Sequence, residues 1–321
     1  MANKIPVGAT VARTYDFAFR NFLPNLGAIW MPFLLLAVAG LFLSKAQLPF
    51  WVAFASQSAA FDPSSPASDA AMQNLISEMT KLGPYLSLSM LIVYASLSSM
   101  FVGLTKEALE LRKGNAFLQM PFATPVWMLI GAYLLLMLIL VGIYIGFFIL
   151  ILILVGISSL ASHLSSALSI LLTIGLVLAG IAGWCAMIVA AFRLSFLLVP
   201  LVVAEESISF RRGRQLTRGN FWRIFIVWLA VFVPMMFASV AYMIFLFGGD
   251  LLPPLNALDN PEAIAAWPQH FALVFQHLVE QRLNWWFVYL PIELIFSAIF
   301  YGLWAGVSAF SYQALAAGEP A

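Results

Sequence analysis

Of the chain's 321 residues, 63% are hydrophobic and 9% charged, with a formal net charge of +1. So even a balance excludes a role driven by bulk charge, such as nucleic-acid binding, and the single cysteine, Cys185, excludes a disulfide framework or a Cys-based metal site within one chain. The apolar residues are gathered in blocks such as 126–160, which a soluble fold cannot cover and bilayer hydrocarbon can. The length would allow two soluble domains, but most of it is spent in lipid, so one polytopic domain is expected.

Residues 1–25 are polar enough to stay outside the bilayer. Val11, Tyr15, Ala18 and Phe22 share a helical face opposed by Arg13, Asp16 and Arg20, which predicts a cytoplasmic interfacial helix. The first apolar run begins only near Leu26, and no A-x-A-like site follows it. It is expected to be retained as a span, not cleaved as a signal peptide.

Six spans are predicted at 26–44, 84–104, 126–157, 167–192, 221–247 and 286–309, inside a membrane domain of 26–316 that leaves a short tail, 317–321. Each meets the ~20 residues a helix needs to cross ~30 Å of hydrocarbon. Barrel strands would be about half as long and would alternate, so the fold class is an all-α polytopic bundle with interfacial amphipathic helices. The third run is longer than one span, which implies tilt or extension beyond the bilayer.

With the N-terminus inside, Lys4, Arg13, Arg20, Lys106, Arg112, Lys113, Arg193, Arg211, Arg212, Arg214, Arg218 and Arg223 are cytoplasmic, 12 of 15 basic residues, leaving Lys45, Lys81 and Arg282 outside. That bias predicts two cytoplasmic termini. Trp285, Trp286 and Tyr289 form an outer aromatic belt, while Trp127 and Trp222 mark inner edges.

Two outer loops, 45–83 and 248–285, are long enough to hold helices. In the first, a turn at 62–66 precedes caps at Ser68 and Asp69, a face of Met72, Leu75, Met79 and Leu82, and a stop at Gly83-Pro84. In the second, Asn260 and Pro261 open a helix that Pro268 breaks or restarts, with Ile264, Trp267, Phe271, Val274, Leu278 and Trp285 on one side. Both are expected to lie on the outer leaflet or on the bundle. The basic inner loop 205–220 carries Arg211, Arg214 and Arg218 on one helical face before a break at Gly219-Asn220. Similar basic turns precede spans one, three and five (Arg20-Asn21-Phe22, 112–117, and Arg218-Gly219-Asn220-Phe221), which suggests three hairpins of common plan.

Glu293 is the acidic residue that falls well inside a predicted span, two turns below the Trp285-Trp286 belt. An unpaired charge there costs at least ~3 kcal/mol, so the carboxyl is either a proton or substrate site or a hydrogen-bonded pin holding span six. Arg193 closes span four, either snorkelling to the inner interface or lying deeper, with the stretch beyond Pro200 completing a kinked helix; depth counting puts it and Glu293 on opposite halves of the bilayer, so a pair between them would need the deeper placement. Arg211, Arg212, Arg214, Arg218 and Arg223 either set topology or bind anionic headgroups. His270 and His277 are seven residues apart, too far for one metal on a straight helix, and His163 stands alone; no metal or cofactor site is expected. Small residues at four-residue spacing (Gly142 and Gly146; Gly175, Ala179 and Gly183; Ala298, Gly302 and Gly306) predict close helix packing within the chain.

The stretch 193–234, with Arg193-Leu194-Ser195-Phe196, Pro200-Leu201-Val202-Val203-Ala204-Glu205 and Ser207 through Arg223, resembles the membrane-domain family of glycerophosphoryl diester phosphodiesterases, as does the opening Tyr15-Asp16-Phe17-Ala18-Phe19-Arg20-Asn21-Phe22. The resemblance covers nearly the whole chain and implies a six-span inner-membrane module. The enzymatic barrel of that name has no counterpart here, because no His is followed by Arg and no segment outside the membrane reaches ~200 residues. The expectation is therefore a non-enzymatic, lipid- or envelope-associated scaffold whose partners are membrane lipids with anionic headgroups and not nucleic acid. A transporter or channel with Glu293 in its pathway is the alternative.

Overall fold

The computed structural model describes residues 4–58, 66–111, 123–162, 166–247 and 261–317. Among them the chain is helical throughout: α1 (Val7–Arg20), α2 (Phe22–Ser58), α3 (Pro66–Ala108), α4 (Thr124–Ser162), α5 (Ser166–Ser195), α6 (Leu198–Glu205), α7 (Phe210–Thr217), α8 (Phe221–Phe247), α9 (Pro261–Asn284) and α10 (Trp286–Ala316). Six segments are long and apolar enough to span a membrane: 22–54, 72–108, 124–159, 170–205, 221–245 and 286–316. This is an all-α polytopic helical bundle.

The first outer loop does not contain a separate surface helix. α2 continues to Ser58 and α3 starts at Pro66, passing through Gly83 and Pro84 without a break. At 43 residues, α3 is ~64 Å long, about twice the hydrocarbon thickness. The two helices pack along each other, and that contact outweighs the ~3 kcal/mol a proline costs a helix interior. Tertiary packing thus overrides a stop signal that is sound locally.

The second outer helix, α9, likewise runs unbroken through Pro268. It rests on the extension of α2, where the Trp51 ring lies 5.3 Å from Phe271 and 6.3 Å from Phe275. Ala272 and Val279 are buried on that side. Of the two predicted placements, the bundle is the one adopted.

α1 is docked along α10. Its buried face, Thr10, Thr14, Phe17 and Ala18, is turned from the predicted one, and Val11 and Tyr15 are half-buried at its margin. Thr10 Oγ1 donates to the Pro6 carbonyl at 3.0 Å and Thr14 Oγ1 to the Thr10 carbonyl at 2.8 Å. With their hydroxyls satisfied, the threonines present methyl groups, which fit against glycine. A Cβ at Gly306 would lie 3.2 Å from Thr14 Cγ2, and one at Gly302 3.2 Å from Asn25 Nδ2. The small-residue face of span six is therefore filled within the chain. Those of spans three and four are not: nothing lies within 4 Å of such a Cβ at Gly142, Gly146 or Gly175, and only Gly183 is met, by Phe147.

The core sits at the end of the bundle that holds both described termini. The fourth apolar segment bends at Phe196-Leu197, ahead of Pro200, and continues as α6, whose Leu198, Val199, Pro200, Leu201, Val202 and Val203 are all buried. α6 touches α3, α4, α5, α7 and α10. Away from this hub the α4–α5 hairpin leaves the rest, and side chains such as Leu138, Ile153, Leu171 and Ile181 are exposed.

Candidate functional site

The arginine cluster is resolved into separate tasks. Arg212 Nε lies 3.4 Å from Glu205 Oε1, and that same oxygen accepts from Tyr312 Oη at 3.0 Å. Arg223 Nη1 donates to the Ile5 carbonyl at 3.0 Å, and the Ile5 N–H donates to Asn220 Oδ1 at 3.3 Å, clamping the buried N-terminal segment to the start of α8. Arg193 stacks over the Phe221 ring at 4.8 Å and is exposed. Arg211, Arg214 and Arg218 remain exposed on the outward side of α7 and its turn, while Gly213, Leu216 and Thr217 face inward. Ser209 caps α7 by accepting from Arg212 N at 3.3 Å. Gly219, at φ +80°, makes the predicted break in a conformation that disfavours a side chain. Trp222, 71% exposed, stands just past it at the head of α8. The turn 112–117, offered as a repeat of this one, lies outside the described residues.

At the opposite end Glu293 is paired, and its partner is Arg282 of α9, not Arg193. Sequence reasoning counted Arg282 only as an outer charge. Tyr242 of α8 stacks on Phe296 at 4.2 Å nearby, and its buried hydroxyl has no partner among the described residues. The guanidinium from the adjoining helix gives this carboxylate a charged partner.

Two cavities stand out among the described residues. The larger, about 900 Å³, lies between α2, α3 and α4 and is almost wholly apolar. Its walls include Tyr85, Leu88, Leu91 and Trp127, each more than half exposed, so the cavity is a groove open to the bundle's surface. The smaller, about 250 Å³, is lined by aromatic side chains including Phe192, Trp228, Phe232 and Trp304, with Tyr133 and Ser308. Glu293 lines neither.

At the end that holds the arginine cluster, Tyr15 Oη donates to the Ala230 carbonyl at 3.3 Å, and burial pushes its phenol pKa up. Asn25 Oδ1, Thr105 Oγ1 and Ser311 Oγ are buried without partners among the described residues. Nothing in the hydropathy pattern singled out Glu205, Tyr312 or Asn25, since each is one polar residue at a helix end. His270 and His277 are both exposed on α9, and His163 lies outside the described residues. No group of three or more His, Cys, Asp or Glu comes together among the described residues. A search of family models, curated proteins and solved structures returns no match.

Proposed function

We propose that this chain is a non-enzymatic integral protein of the bacterial inner membrane, a scaffold that associates with lipid and the envelope, with both termini in the cytoplasm. The observation that supports it is the exposed row of Arg211, Arg214 and Arg218 beside Trp222, left over after Arg212 and Arg223 are taken up by Glu205 and Ile5. Arginines with no ion-pair partner among the described residues, next to an exposed indole, form a surface for an anionic leaflet, at ~1 kcal/mol per charge. The resemblance to the phosphodiesterase membrane-domain family favours the same reading and brings no hydrolytic residues with it.

The test is native mass spectrometry of protein taken from nanodiscs that mix phosphatidylglycerol with phosphatidylethanolamine. Wild type should retain phosphatidylglycerol in excess of its bulk share. Replacing Arg211, Arg214 and Arg218 together by Gln should remove most of that excess. Retention that is unselective in wild type, or unchanged in the triple variant, would overturn the reading. Passage of a solute through Glu293 has less support, because the carboxylate is held by Arg282 and lines neither cavity.

A further inference from the structure

The groove between α2, α3 and α4 has a definite length. On α2 its lining runs from Pro32 to Leu43 and on α3 from Tyr85 to Ser96, eleven residue steps on each helix. At ~1.5 Å per residue this is ~16 Å, half of a ~30 Å hydrocarbon core. On those two helices the lining is about one leaflet long, while on α4 it includes Trp127, Ile130 and Leu134, just past that helix's start at Thr124. The α4 wall therefore lies near the arginine end of the bundle, and the α2 and α3 walls extend toward the other end, since α2 leaves the arginine end at Phe22 and α3 returns to it at Ala108.

Its mouth carries charge. Continuing the groove-facing positions of α2 (Leu35, Val38, Phe42) by one turn reaches Lys45, and continuing those of α3 backward (Leu88, Tyr85) reaches Lys81. Lys81 is bound to Glu78. Lys45 is exposed and has no ion-pair partner among the described residues. Ser89, within the wall, spends its hydroxyl on the Leu86 carbonyl at 3.0 Å, which keeps the groove apolar below the mouth.

We infer that this groove holds the acyl chains of one phospholipid from the leaflet opposite the arginine row, with the headgroup phosphate at Lys45. The inference rests on the reading of the chain as lipid-associated and deepens it. A second copy fits less well. Helices in lipid associate through small residues that allow close approach, and these walls are made of Leu35, Phe42, Tyr85, Leu88 and Leu91, while the open glycines Gly142 and Gly146 lie farther along α4. Bulky, irregular apolar walls leave space that a flexible chain fills and a helix does not.

The experiment uses the full chain in phosphatidylcholine nanodiscs with phosphatidylglycerol as the minor lipid, part of it carrying a photoactivatable group in its acyl chain. After irradiation, adducts should concentrate on the α2 and α3 groove segments above the level on the lipid-facing side of α5 around Ile174 and Ile181. Lys45→Gln should lower groove labelling about fivefold, the effect of one surface charge. Val38→Trp with Leu91→Trp, both at exposed positions, should abolish it by filling the space. Unfolding midpoints establish that the variants are folded, and Leu88→Trp replaces the pair if it is not.

Labelling no denser in the groove than on α5, or unaffected by Lys45→Gln, overturns the inference, as does a groove shielded from lipid in a cross-linkable dimer. The triple arginine variant is run alongside. If its phosphatidylglycerol excess is lost while Lys45→Gln has no effect, the groove inference alone fails. If wild type shows no excess at all, the reading of function fails with it.

Discussion

Arg282 and Glu293, eleven residues apart on either side of the Trp285 turn, form an ion pair that fastens α9 to α10. Glu293 is the more buried of the two, with 15% of its side chain exposed against 37% for Arg282. Desolvation is therefore uneven across the pair, and loss of the arginine strands the deeper charge.

Arg282→Gln should destabilise the protein by about 1–3 kcal/mol, Glu293→Gln by less, and the double variant by less than the sum. Thermal unfolding in detergent measures all three. Additive effects would mean that the two side chains do not interact.

Gly306→Leu should cost about 2–3 kcal/mol, because the space is occupied by Thr14 and Phe17, while Gly142→Leu and Gly146→Leu should stay within about 0.5 kcal/mol. The same unfolding assay separates them. Equal costs at all three would place a partner on α4.

Removal of Tyr312 Oη in Tyr312→Phe, or of the guanidinium in Arg212→Gln, should each lower stability by about 1 kcal/mol, since both groups bind Glu205. Arg214→Gln should leave the unfolding midpoint unmoved. Reversal of that order would show that the exposed arginine, not the paired one, holds the base together.

Cys185, exposed on α5, should face hydrocarbon. In intact membranes a charged, water-soluble maleimide should fail to modify it, because the charged reagent does not enter hydrocarbon, and labelling should appear once the protein is unfolded in denaturant. Ready labelling in membranes would put α5 against an aqueous space.

The apolar blocks by themselves fixed much of this protein, because lipid is a demanding solvent: any segment it surrounds must satisfy its own backbone, and a helix of ~20 residues is the unit that does so. The six spans, the helix ahead of the first, the outward face of Arg211, Arg214 and Arg218, and the turn at Gly219 follow from that rule and from local helix geometry.

Only the tertiary structure decided where those elements meet. Pro84 and Pro268 read as stops and are carried through, since neighbouring helices hold the backbone in place. Arg212 and Arg223 look no different in sequence from Arg211 and Arg214, and contacts with Glu205 and Ile5, brought near by folding, set them apart. The partner of Glu293 and the groove between α2, α3 and α4 depend on distances between helices, and a hydropathy pattern contains no such distances.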